Sequence, residues 1–348
     1  MGGMERQLIL LITSIPSSDF LIDLALFRNT MEYRIPANTR VIDLKKKGKV
    51  DPLFFLRLFK LILTGDYDVL HSKIDGPNEY LMAIAGILRK RNVIIECRSS
   101  GENMRKGYSN TRALYRMFGR QEWKIVCNST KSLNEMKKMI PSHKNILYIG
   151  NGIDTQRFSK NVVQKDNTQV AIGFAGRIEP IKNLEVLILT LKDMVFDKND
   201  GKKIMLKLIG PQTNQGYLSK LLLMVNKLGL TKNIQLIEKV QKIEEFYSSL
   251  DLFILPSLVE GTPNALLEAM ACEVVCLASD GADGEGILEE RFLFKSKDTK
   301  KLRERIETVI NLPNQEKQQI GKDNRNKVIS TFSLELLLKK YEDLWSKI

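Results

Sequence analysis

The second half of the chain alternates short, unbroken apolar runs with longer stretches of helical spacing. The runs lie at 169–176 (QVAIGFAG), 204–210 (IMLKLIG), 234–238 (IQLIE), 252–256 (LFILP) and 274–278 (VVCLA). Helical patterns fall between them, at 183–196, 216–228, 243–250 and 264–272. A strand that is apolar at nearly every position is buried on both faces. Strands of that kind alternating with helices predict a parallel sheet covered on both sides. The first half follows the same grammar less regularly. It predicts strands at 20–27, 40–44, 68–72, 93–97, 124–128 and 145–149, and helices at 4–14, 52–63, 78–90, 110–119 and 130–140. After about residue 298 the pattern is helical to the end.

These patterns predict two α/β domains, 1–150 and 151–332, joined through NGIDTQRF (151–158), where Asn-Gly signals a turn. The last segment, 333–348, is expected to be a helix returning to the first domain. A chain of 348 residues is long enough for two cores. Apolar residues make up 43% and charged residues 27%, which suits a globular protein. The longest apolar stretch is interrupted by Arg57 and Lys60, short of the roughly 18 apolar residues that span a bilayer. Cys97, Cys127, Cys272 and Cys276 form no CxxC and sit in apolar contexts, so free buried thiols and a reducing compartment are expected. With only His71 and His143, a histidine-rich metal site is excluded.

Charge adds a partner. Residues 1–155 hold 25 Lys and Arg against 15 Asp and Glu, a net of +10; the remainder holds 29 against 26, a net of +3. A basic first half points to an anionic partner. The stretch KKKGKVDPLFFLRLFKLIL (45–63) reads either as a basic amphipathic element on anionic lipid or as a core helix after a charged loop. The basic, aromatic segment 104–124 adds to the lipid reading. No nucleic-acid-binding motif is present.

Two stretches carry the chemistry, and both follow predicted strands, where ligands of parallel sheets bind. In ILPSLVEGTPNALLEAMAC, Glu260 and Glu268 stand eight positions apart around a helix start. Thr262 is the expected N-cap and Pro263 the first helical residue, leaving amides near Asn264, Ala265 and Leu266 for a phosphate. Carboxylates beside an anion site repel phosphate, so Glu260 and Glu268 are better used accepting hydrogen bonds from neutral hydroxyls. A nucleotide sugar supplies both chemistries. In GFAGRIEPIKN (173–183), Arg177 and Lys182 are cations placed to grip a diphosphate and to stabilise charge as it leaves. DYD (66–68) precedes a strand and reads as a turn. DGADGEG (280–286) lacks the ligand spacing of a calcium loop and reads as a loop.

Together these stretches resemble the signatures of glycosyltransferase family 4, the retaining transferases of the GT-B fold. The E-x7-E pattern matches Glu260 and Glu268, G-R-x4-K matches Gly176, Arg177 and Lys182, and the linker pattern matches Asn151, Gly152, Ile153, Asp154 and Phe158. GGMER (2–6) resembles the family's glycine-rich loop and helix start. The resemblance implies two Rossmann-like domains facing a cleft. It also implies a metal-independent hexosyltransferase, with no cofactor beyond a UDP- or GDP-linked sugar donor. It would move a hexose or N-acetylhexosamine to a lipid-linked or polysaccharide acceptor. The site would lie at the cytoplasmic face of the plasma membrane, in peripheral contact with anionic lipid. By resemblance, Arg177 and Lys182 hold the diphosphate, Glu268 the ribose and Glu260 the sugar. Gly261, Thr262, Pro263, Asn264, Ala265 and Leu266 surround a phosphate, Val240 lies near the base, and Gly2 and Gly3 admit donor or acceptor. Arg98 stands near the position of a common family histidine, as a candidate catalytic contact. Family members place a strand before the Gly-Gly loop, so the first strand of the N-terminal domain is expected to be missing here. Two other functions stay open: a sugar-nucleotide epimerase of the same fold, and a nucleotide-sugar-binding protein without catalysis.

Overall fold

A computed structural model describes residues 3–16, 18–28, 35–37, 39–48, 51–73, 77–97, 113, 115, 117, 119–166, 168–197 and 203–347. By internal contacts the chain forms two units: Met1–Asn151 with Glu335–Ile348, and Gly152–Leu334. The helix expected over 110–119 falls largely outside the described residues.

Unit 1 opens with α1 (Gly3–Ser14) and strands β1 (Ile22–Leu26) and β2 (Thr39–Asp43). Next come α2 (Pro52–Thr64), β3 (Leu70–Ser72), α3 (Pro77–Ile87), β4 (Val93–Cys97), β5 (Lys124–Cys127), α4 (Thr130–Met139) and β6 (Ile146–Tyr148). Its strands form two parallel sheets, β1-β2 and β3-β4-β5-β6. Tyr67 bridges from the turn before β3 to β1 by donating to Asp23 at 2.8 Å. The expected helix start at 52 is well determined: Asp51 accepts from the Phe54 amide at 2.9 Å, and Pro52 occupies the first turn, where no amide donor is missed. Asp66 and Asp68 lie in the turn before β3, as their position predicts.

Unit 2 contains β7 (Gln169–Ala175), α5 (Leu184–Asp197), β8 (Lys203–Ile209), α6 (Gln215–Lys227), β9 (Ile234–Ile237) and α7 (Ile243–Ser248). It continues with β10 (Leu252–Leu255), α8 (Asn264–Ala271), β11 (Cys276–Ser279), β12 (Leu293–Phe294), α9 (Thr299–Asn311) and α10 (Asn314–Phe332). The six strands are all parallel, in the order β12-β11-β10-β7-β8-β9. Strand β11 begins two residues later than its apolar run because Glu273, at φ 59°, closes α8 with a left-handed turn. Strand β12, two residues long, is too short to leave a pattern in the sequence. The helical C-terminal stretch is broken where Pro313 and Ser333 adopt extended backbone. The four cysteines are buried and unpaired, and burial pushes the Cys272 thiol up to about 12.

The final helix, α11 (Leu334–Ser346), packs in unit 1 through a buried polar cluster. Glu96 on β4, 1% exposed, accepts from Lys73 at 2.8 Å, from the Tyr341 hydroxyl at 2.5 Å and from His71 Nε2 at 2.9 Å. The Trp345 indole donates to His71 Nδ1 at 3.3 Å, which puts the ring's single proton on Nε2. One buried carboxylate is thus shared by two strands and the terminal helix.

Lys73→Met would leave Glu96 buried without its cation, a change that costs about 3 kcal/mol or more in comparable pairs. Hydrogen exchange should accelerate in β3, β4 and α11, and Lys73→Met with Glu96→Gln should recover most of the protection. Equal exchange in wild type and Lys73→Met would remove the cluster from the account of unit 1.

Candidate active site

In unit 2 the chain leaves β7 toward β8 and β9 on one side, and returns through β10 to β11 and β12 on the other. The sheet's order therefore reverses between β7 and β10, and crevices of parallel sheets open beyond the strand ends at such a point. The loops after these two strands are the two that carry the sequence motifs.

Hydrogen bonds lock the loops together. The Leu258 amide donates to the Ile181 carbonyl at 2.8 Å. Asn183, in the left-handed region at φ 53°, donates from Nδ2 to the Pro256 carbonyl at 3.1 Å and to the Ser296 carbonyl. The result is a direct ion pair: Lys182 Nζ lies 2.6 Å from Glu260 Oε1, with both side chains about 15% exposed. Ser257 donates to the same carboxylate oxygen at 2.6 Å, and the Glu260 amide donates to the Gly281 carbonyl at 3.0 Å. A Cβ at Gly281 would come within 2.0 Å of the Leu258 carbonyl oxygen, so the 280–286 loop can lie against the Glu260 loop only with glycine there.

Arg177 is not in the Lys182–Glu260 contact. It is half exposed and pairs with Glu179 at 3.1 Å. Glu179 in turn accepts from Thr213 at 3.0 Å. Arg177 follows a close approach of the two chain segments just past the paired ends of β7 and β8. The Gly176 amide bonds the Ile209 carbonyl at 2.9 Å, and a Cβ on Gly210 (φ +147°) would sit 1.9 Å from the Gly176 carbonyl oxygen.

The start of α8 corrects one expectation. Pro263 itself occupies the cap position, with helix from Asn264 and no capping bond from the Pro263 side chain, so the cap falls one residue beyond Thr262. The Leu266 amide already donates to the Pro263 carbonyl at 3.0 Å, which takes it out of the set expected to face a phosphate. Gly261, Asn264 and Ala265 are partly exposed at this end, whereas Thr262, Pro263 and Leu266 are buried.

Glu268 points into the unit. It is 3% exposed and accepts from the Tyr247 hydroxyl at 2.8 Å. Tyr247 sits on α7, whose neighbouring Phe246 and Glu245 line a cavity of about 390 Å³ with Val240, Gln241, Lys242 and Ile237. The site thus brings Lys182 together with Glu260, and sets Glu268 one short helix away from the Val240 cavity. Gly3 opens α1 in unit 1. Gly2 and Arg98 lie outside the described residues.

Sequence reasoning passed over Ser257, Asn183, Glu179 and Tyr247. Ser257 and Asn183 stand inside the motif stretches, where small polar residues beside strand ends could have flagged them. Nothing in the sequence marks Tyr247. Just past Asn183, the start of α5 is anchored from α6. The Tyr217 hydroxyl accepts from the Leu184 amide at 3.0 Å and donates to Glu185, which also takes a bond from Lys220 at 2.9 Å. Burial pushes the Glu185 carboxyl up, but the Tyr217 and Lys220 hydrogen bonds outweigh it and hold the group below its ordinary value of 4.5.

In open parallel sheets of α/β proteins, ligands bind in the crevice at such a switch point. Residues 1–157 match the profile described as Glycosyltransferase Family 4, and residues 155–327 that of Glycosyl transferases group 1. The chain belongs to glycosyltransferase family 4. It is similar to the capsular polysaccharide biosynthesis glycosyltransferase CapH of Staphylococcus aureus, at 26% identity over 69% of this chain and 65% of CapH. It therefore spans slightly less than two thirds of that relative's length. It is also similar to the Escherichia coli UDP-Gal:α-D-GlcNAc-diphosphoundecaprenol α-1,3-galactosyltransferase, at 22% identity over 95% of this chain and 86% of that protein. Among solved structures, Anabaena HepE in complex with UDP and glucose shares the fold, with a TM-score of 0.80 at 16% identity over 100% of this chain and 96% of HepE.

Two outcomes follow for this site. Glu185→Gln should lower stability by about 1 kcal/mol at pH 7. Because the folded carboxyl titrates below 4.5, its contribution is present above that pH and lost as pH falls through the folded value. Melting curves of wild type and Glu185→Gln should therefore converge in acid, and a gap independent of pH would contradict the assignment. Gly210→Ala should destabilise unit 2 by more than 1 kcal/mol, since no side chain can yield in a clash with backbone. An unchanged melting temperature would show that Gly176 and Gly210 do not approach as closely as described.

Proposed function

We propose that the protein transfers a hexose or N-acetylhexosamine from a UDP- or GDP-linked donor to a lipid-linked or polysaccharide acceptor. The transfer retains configuration at the anomeric carbon and uses no metal ion. It takes place at the cytoplasmic face of an anionic plasma membrane. The observation that carries this reading is the Lys182–Glu260 pair at the switch point, beside the start of α8. Lysine has three donors, so Lys182 can hold Glu260 and a phosphate oxygen together. Glu260 keeps its second oxygen for a hydroxyl of the donor sugar. The donor and acceptor classes are supported by the names of the relatives, which include UDP, UDP-Gal and a diphosphoundecaprenol-linked sugar.

In this reading an acceptor hydroxyl oxygen bonds to the sugar's anomeric carbon as the bond from that carbon to the diphosphate oxygen breaks. The acceptor proton passes to the departing phosphate oxygen on the same face. Lys182 and Arg177 neutralise the nucleoside diphosphate as it gains charge, worth a few kcal/mol per group. Arg177 must first leave Glu179, and its half-exposed side chain has the freedom to do so. The amides at Asn264 and Ala265 and the backbone at Gly261 receive the phosphate, with Thr262 and Pro263 shaping the turn. Glu268 accepts from ribose hydroxyls, with Tyr247 holding its carboxylate. The cavity at Val240 takes the base. Gly2 and Gly3 admit donor or acceptor, and Arg98 contacts the leaving phosphate or the acceptor.

A panel of labelled nucleotide sugars, with native membranes as acceptor, tests the activity, and calorimetry with UDP and GDP tests binding. Lys182→Ala should weaken nucleoside diphosphate binding roughly 30-fold or more, equal to about 2 kcal/mol. Glu260→Gln should bind the diphosphate as well as wild type or better, because Lys182 loses its competing partner, while transfer falls about 100-fold. Binding by both variants indistinguishable from wild type, with transfer intact, would defeat the assignment.

A further inference from the structure

Ser257 is the second residue past β10 and is wholly buried. Its carbonyl accepts from the hydroxyl of Ser279, the last residue of β11, and Ser279 Oγ accepts in turn from the Ala282 amide at 3.1 Å. The Leu258 amide is spent on the Ile181 carbonyl and the Glu260 amide on the Gly281 carbonyl. Backbone groups on both sides therefore fix the turn from 257 to 260 between the loops that follow β7 and β11. A serine hydroxyl has one proton to give, and here Glu260 Oε1 takes it at 2.6 Å.

Lys182 Nζ meets the same oxygen, also at 2.6 Å. Both donors thus converge on Oε1, and among the described residues none bonds Oε2. A bare carboxylate offers two oxygens and can take two neighbouring hydroxyls at once. Glu260 has one of its oxygens already filled. That matters for a ligand rich in hydroxyls, because a vicinal pair read together and a single hydroxyl read alone select different sugars. Lys182 cannot guard Oε1 by itself once an anion arrives, since its ammonium is then shared with phosphate. The serine is uncharged and buried, and its one proton stays on Glu260.

We propose that Ser257 sets the sugar specificity of the donor site: with Lys182 it closes Oε1, so that Glu260 reads a single hydroxyl of the donor sugar through Oε2. Ser257 is a positioning residue, because it acts on the sugar only through Glu260. The substrate class that follows is a nucleotide sugar discriminated at one ring carbon, where a deoxy or epimeric sugar leaves Oε2 without a donor. The inference rests on the reading that this crevice takes a nucleotide sugar, and it names what within the sugar is read.

The test is calorimetry of the full chain with UDP and GDP, with their hexose and N-acetylhexosamine derivatives, and with the monodeoxy series of the donor that binds. In wild type one deoxy position should cost roughly 30-fold or more in affinity, and its neighbours less than about threefold. Ser257→Ala opens Oε1 to a second hydroxyl, so the preference at that position should fall about tenfold, while binding of the bare nucleoside diphosphate stays within about threefold of wild type. Ser257→Cys, a weaker donor in the same place, should fall between the two. In a Glu260→Ala background, Ser257→Ala should change the series no further. A change there would mean that the serine acts through packing alone, and would overturn the proposal. So would equal losses at two adjacent deoxy positions in wild type, or a series that Ser257→Ala leaves as it was. If neither diphosphate binds, the donor reading falls and the inference with it. A diphosphate that binds, beside sugars that all bind alike, removes the inference alone.

Discussion

The reversal of strand order between β7 and β10 is the constraint on which the site depends. Two parallel strands that leave in opposite directions cannot have their loops fill the space above them, so the loops line a crevice instead. Here the loops are held together by a backbone bond, Leu258 to Ile181, and by the Asn183 side-chain amide on the Pro256 carbonyl. That makes the Lys182–Glu260 contact a product of the scaffold. The ammonium and carboxylate are largely withdrawn from water, so in the proposed function an arriving anion would meet a cation whose position is already determined. Little ordering is left to do on binding.

The same logic explains where the glycines sit. Gly210 and Gly281 occupy places where one backbone runs against another at the rim of the crevice, and a single carbon would separate the loops. The acids divide by burial. Glu260 is at the rim with Lys182 and Ser257, while Glu268 is inside with Tyr247. Equal residue types at helical spacing have thus become one carboxylate that can meet a ligand beside a cation and another held by a neutral phenol. Unit 1 uses a buried carboxylate differently: Glu96 joins β3, β4 and α11 through Lys73, His71 and Tyr341. An unpaired charge there is costly, which ties the chain's last helix to its early strands.

The fold class was legible because a strand buried on both faces must be apolar throughout, and a covering helix must repeat its apolar positions every three or four residues. Glu260, Glu268, Arg177 and Lys182 could be picked out because a helix start after a parallel strand invites an anion, and acids beside it demand another role. The two readings of residues 45–63 could not be separated in the sequence, since an outward leucine and an inward one are the same letter. In the structure α2 has Phe54 and Ile62 inside and Leu53, Leu56 and Leu63 outside.

What the amino-acid order settled alone was local: periodicity, the Asp51–Pro52 helix start, and the cations and acids at the strand ends, all governed by near neighbours along the chain. Tertiary structure decided which of those residues touch. Lys182 and Glu260 are 78 positions apart, Glu96 and Tyr341 245 apart, and their contacts exist because strand order brings distant segments together. It also decided that Arg177 rests on Glu179, that Pro263 displaces Thr262 at the start of α8, and that Tyr247 meets Glu268. Each depends on the angle at which a loop leaves its strand, which no spacing along the chain encodes.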